Sequence, residues 1–76
     1  MELEIKLCIL ANNYLNNKSI INKKLFIEEL NYTNSIITVS YVYNLFKSKN
    51  DEELNDLIGL LDKKLKSNEK RLLKVI

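Results

Sequence analysis

Seventy-six residues with a net charge of +2 make room for one domain, 1–76, with one small hydrophobic core. Proline is absent and Gly59 is the only glycine, so the chain lacks β-turn formers and leans towards helices. The absence of histidine and the single cysteine, Cys8, remove the commonest general base and exclude zinc sites built from Cys and His.

Glu2 and Glu4 stand where a signal peptide would carry positive charge, and the longest apolar run, Leu7 to Ala11, is far short of a membrane span. A lone Cys8 forms no intrachain disulfide. The expectation is a soluble cytoplasmic protein in which Cys8 is a small buried apolar side chain. Residues 2 to 16 carry two patterns. Leu3, Ile5, Leu7 and Ile9 alternate as on a strand, whereas Leu3, Leu7, Leu10 and Tyr14 form a helical stripe that runs further. The longer pattern predicts a helix ending near Asn16–Asn17. Ser19-Ile20-Ile21 is a candidate short strand, and Asn22 a candidate N-cap for a helix over Lys23 to Leu30.

Asn31, Thr33, Asn34 and Ser35 then crowd into a polar turn, because their short side chains compete for backbone hydrogen bonds. Ile36, Val39, Val42, Tyr43 and Phe46 follow at helical spacing, and Lys47 and Lys49 suit the C-terminal end of a helix dipole. β-Branched and aromatic residues from Ile36 to Tyr43 favour a strand, but the stripe reaching Phe46 favours a helix. Asn50 followed by Glu53 has capping-box spacing and opens a helix with the stripe Leu54, Leu57, Ile58, Leu61, Leu65. Gly59 in that stripe marks either a close helix contact or a break. Ser67–Asn68 is a turn candidate, and residues 69 to 76 are either a last helical turn and tail or a strand.

Glu28-Glu29-Leu30-Asn31, the polar turn, Thr38-Val39-Ser40, apolar Tyr43 and Phe46, and the closing Asn50 together resemble a helix-turn-helix, a DNA-reading unit of bacterial and phage regulators. Lys18 to Leu25 is similar to the short strand and helix start of winged-helix members, and the resemblance spans roughly residues 4 to 50. Two registers fit it. With Val39 buried, the turn is about two residues longer than in compact members. With Ile37 buried the spacing is normal, but Ser40 falls on a core position. No glycine occupies the turn, where Asn31 or Asn34 could take the left-handed conformation. The resemblance implies a mainly α fold, either winged by a short C-terminal β-hairpin or a compact four-helix domain.

On that reading the second helix shows Asn34, Ile37, Tyr41, Asn44 and Ser48 outward, with Ser35 and Thr38 near its N-terminal end. Asn pairs with adenine, Ser and Thr contact several groups, and Ile packs on a thymine methyl. Lys23, Lys24, Lys47, Lys49, Lys70 and Arg71 are candidate phosphate contacts. The implied function is sequence-specific binding of double-stranded DNA by a homodimer, as a transcriptional regulator or a plasmid or phage adaptor. A small helical protein-binding module, an inhibitor or immunity-type factor, is the rival. Neither needs a cofactor, metal or membrane. Glu28–Glu29 and Asp51–Glu53 are the acidic clusters, and both suit exposed surface and helix caps better than catalysis.

Overall fold

The computed structural model describes the backbone of residues 5–75 and the side chains of residues 5–67. Four helices form in order: α1 (Ile5–Asn16), α2 (Ile20–Tyr32), α3 (Ile36–Ser48) and α4 (Asn55–Val75), with one 3-10 turn, Glu52–Leu54, leading into α4. There is no strand among the described residues. The expected wing is therefore corrected: α4 runs through residues 69–75 as helix, and Ser67–Asn68 makes no turn. Ser19-Ile20-Ile21 has no strand partner either. Ser19 is instead the N-cap of α2, and Ile20 and Ile21 are its first residues.

The helices pack as two hairpins. α1 lies chiefly against α2, α3 chiefly against α4, and α1 also meets α3. Each helix sends one stripe inward. Leu7, Ala11 and Tyr14 come from α1, Phe26 and Leu30 from α2, Val39, Val42 and Phe46 from α3, and Leu57 and Leu61 from α4, with Leu54 from the turn before it. Cys8, Leu10, Leu15, Ile27, Tyr43, Leu45, Ile58 and Leu65 pack around that centre as half-buried neighbours. The rings of Phe26 and Phe46 meet at 5.4 Å between centroids, tilted by 40°, and tie the first hairpin to the second. Val39 is buried and Ile37 exposed, so the longer of the two turn registers is the one adopted.

Caps set the helix ends. The Asn22 N–H donates to Ser19 Oγ at 3.1 Å, so Ser19 and not Asn22 begins α2. The Asn22 side chain instead donates to the carbonyls of Asn17 at 2.9 Å and Asn13 at 3.4 Å, which also accept the backbone N–H groups of Ser19 and Asn17, and so ties the start of α2 to the end of α1. Thr33 ends α2, its hydroxyl donating to the Glu29 carbonyl at 2.8 Å. After α3, Asn50 takes φ 51°, the one non-glycine residue of positive φ among the described residues. It thus does the work expected of Asn31 or Asn34, but at the other end of α3. Asp51, not Asn50, caps the following turn, accepting from the Glu53 N–H at 3.0 Å. The reason is geometric: a residue in the left-handed region leaves the extended conformation that an N-cap needs to its successor.

Gly59 lies in the exposed face of an unbroken α4, and a Cβ built there meets nothing within 4 Å. It marks neither a close helix contact nor a break. Replacing it with Ala removes backbone freedom from the unfolded chain and adds no clash. Gly59→Ala should raise stability by ~0.5–1 kcal/mol and the melting temperature by several degrees. Thermal unfolding by circular dichroism checks this; a lower melting temperature would mean that the position is occupied by something outside this chain's own fold.

Candidate nucleic-acid interface

Burying Val39, Val42 and Phe46 forces the opposite side of α3 outward. Ile37, Tyr41, Asn44 and Ser48 stand at i, i+4, i+7 and i+11 and form one exposed stripe, preceded by exposed Asn34. From Ile37 to Ser48 it runs ~16 Å along the helix. The stripe holds amide, hydroxyl, phenol and aliphatic groups. No carboxylate occurs anywhere from Asn31 to Asn50, while Lys47 and Lys49 stand at the C-terminal end.

The residues expected to contact DNA separate into three groups. Asn34, Tyr41, Asn44, Lys47 and Lys49 are exposed and are brought to one helix and its ends. Ser35 and Thr38 are not available: Ser35 is buried and Thr38 fully so. Ser35 is corrected from a contact residue to the N-cap of α3 and Thr38 to a buried residue of its first turn, since Ser35 Oγ accepts from the Thr38 N–H at 3.2 Å and the Ser35 carbonyl from the Val39 N–H at 3.1 Å. The side chains of Lys70 and Arg71 lie outside the described residues.

Lys47 sits 5.5 Å from the centroid of the Tyr43 ring, a cation–π distance that holds its ammonium near the flank of α3. Lys23 is 3.6 Å from Asp56 and Lys64 donates to the Asn31 carbonyl at 3.1 Å, so these two cations have partners within the fold. Lys24 is exposed on the far side of α2.

At the C-terminal end of α3, Lys18 and Asp51 approach to 2.5 Å and join the α1–α2 loop to the turn after α3. The hydrogen bond from Lys18, helped by the Glu53 N–H, holds the Asp51 carboxyl below its ordinary value. The same bond pushes Lys18 above the usual lysine value. The acid nearest Lys49 in sequence is thus already paired. Cys8 is half-buried rather than buried, and desolvation pushes its thiol up, away from nucleophilic reactivity.

No protein family, curated protein or solved structure matches this chain. Among the described residues no group of His, Cys, Asp and Glu is arranged to hold a metal ion. No helix there is long and apolar enough to cross a membrane. The concavity between α2 and α4, lined by Ile27, Leu30, Asn31, Leu60, Lys63 and Lys64, holds about 240 Å³ and is open to solvent. That is below the ~300–1,000 Å³ of enclosing ligand pockets.

The Lys18–Asp51 pair has a defined pH window. A carboxyl with a lowered folded pKa stabilises the fold above the ordinary carboxylate value and stops doing so as pH falls through the lowered one. An amine with a raised pKa stabilises below the ordinary lysine value and stops as pH rises through the raised one. At neutral pH both contributions are present. Asp51→Asn should lower the melting temperature at pH 7, and the gap to the parent chain should narrow below about pH 4. A gap independent of pH in melts over that range would mean that Asp51 acts only as a neutral cap.

Proposed function

We propose that this protein binds double-stranded DNA through α3, as a homodimer presenting one α3 to each half-site. The observation that carries the reading is the acid-free outward stripe Asn34, Ile37, Tyr41, Asn44 and Ser48, with Lys47 and Lys49 at its end. A carboxylate in such a face would be repelled by phosphate. A mixture of amides, hydroxyls and one aliphatic side chain matches the donors, acceptors and thymine methyls of a major groove. α2 and α3 are joined by the connection Thr33 to Ser35 and touch through the Phe26–Phe46 contact, as the helix-turn-helix reading needs, with a turn longer than that of compact members. Two copies would read half-sites about one helical turn apart, ~34–36 Å. Transcriptional control and plasmid or phage maintenance are the roles that fit such binding. Lys70 and Arg71 belong to the proposal as sequence-independent phosphate contacts.

The second reading, a small protein-binding module, is favoured by one feature of the same face: Ile37 and Tyr41 are both about half exposed and could seat in a partner's groove. Salt separates the two. Binding to DNA weakens steeply with salt, with a log–log slope of about −0.9 per phosphate neutralised, whereas a helix-in-groove complex loses far less.

Fluorescence anisotropy with a random duplex pool, followed by selection of the preferred site, tests the proposal. Tyr41→Ala and Asn44→Ala should each weaken specific binding by roughly 5- to 150-fold, the ~1–3 kcal/mol of a base contact, and leave the melting temperature close to that of the parent. Replacing Lys70 and Arg71 with Ala should weaken specific and random duplexes alike. No binding at low salt, or unchanged affinity in both α3 variants, removes α3 as a DNA reader.

A further inference from the structure

The α1–α2 hairpin carries an apolar face that its own core does not use. Ile21, Leu25, Glu28 and Tyr32 stand at i, i+4, i+7 and i+11 on α2, turned away from buried Phe26 and Leu30. On α1, Ile5 and Ile9 stand one turn apart, turned away from Leu7, Ala11 and Tyr14. Two cross-links set the antiparallel register of the hairpin: Asn22 Nδ2 to the Asn13 carbonyl at 3.4 Å, and Lys6 to Glu29 at 3.4 Å. That register places Ile9 beside Leu25 across the seam. The five apolar side chains therefore form one patch, each between 43% and 80% exposed.

We infer that this patch is the surface on which a second copy of the chain docks, α2 against α2 about a two-fold axis. The charge pattern is self-complementary. An antiparallel pairing centred between Leu25 and Glu28 sets Ile21 of one copy on Tyr32 of the other. It also brings Lys24 of each copy to Glu28 of its mate, and both residues lie exposed on the same edge of the stripe. The area fits as well. Side chains of this size at these exposures amount to on the order of 600 Å² per copy, so a pairing that covers the α1 and α2 parts of the patch removes at most ~1,200 Å² from water, where stable interfaces begin. A chain of 76 residues with a small core also gains stability from association.

No residue of the patch comes from α3, so docking leaves the outward stripe of α3 open. The inference gives the two-copy part of the proposed function its surface but does not depend on DNA, and its test contains none.

Sedimentation equilibrium of the full chain over a range of micromolar concentrations reads the mass directly. The parent chain should sediment as two copies. Leu25→Glu should raise the dissociation constant at least tenfold while keeping the parent's helical circular dichroism. Tyr32→Glu, at the most exposed member of the patch, should do the same and serves as the readout if Leu25→Glu does not fold. Lys24→Glu and Glu28→Lys should each weaken association, and the two together should restore it. A parent chain that remains a single copy throughout, or a dimer indifferent to Leu25→Glu and Tyr32→Glu, overturns the inference.

Discussion

The contact between Phe26 and Phe46 is the constraint on which the rest of the molecule depends. Both rings are fully buried, and they come from helices in different hairpins. A helical hairpin cannot bury its own apolar stripe, so each pair is a partial solution until the other covers it. The tilted ring pair is where the two stripes meet. Leu7, Ala11 and Leu30 on one side, and Val39, Val42, Leu57 and Leu61 on the other, complete a single core around it. Among the described residues there is no second core to compensate for a loss there.

The same burial decides the chemistry of the surface. Once Val39, Val42 and Phe46 face inward, the outward residues of α3 follow from the 100° step of the helix, and the thirteen residues from Ile36 to Ser48 present a polar, acid-free side. The helix is held by ordinary means: Ser35 at its start, Lys47 in its last turn, and left-handed Asn50 just past its end. Ser35 and Thr38 are buried, so the exposed residues around the start of α3 are Asn34, just before its N-cap, and Ile37.

Charge is distributed to match. The carboxylates Glu29, Asp51 and Asp56 pair with Lys6, Lys18 and Lys23 across helix junctions, so they tie elements together. Pairs as exposed as Lys6–Glu29 and Lys23–Asp56 add little stability, and their positions at junctions matter more for register. The Lys18–Asp51 bond is the shortest of these. It joins the α1–α2 loop to the α3–α4 connection, which puts it where it can hold the end of α3 against the first hairpin.

The 3.6-residue stripes were legible in the chain itself. The repeats Val39, Val42, Phe46 and Leu54, Leu57, Leu61 identify α3 and α4, place their inner sides and imply the outward set Asn34, Ile37, Tyr41, Asn44, Ser48. Helix ends were less legible. Asn22 and Asn50 are competent caps by composition, yet Ser19 and Asp51 do the capping, because the choice depends on which backbone turns first into the extended conformation. The strand expected at Ser19-Ile20-Ile21 failed for a related reason: two isoleucines favour a strand only when a neighbour offers an edge, and α4 continues as helix where the partner hairpin would have to be. The sequence by itself determined which faces of α3 and α4 are apolar, because period and side-chain chemistry are local. Only the tertiary structure decided that Ile5, Ile9, Ile21, Leu25 and Tyr32 remain outside, because burial depends on which helix covers which, and α1 and α2 each have one covered side.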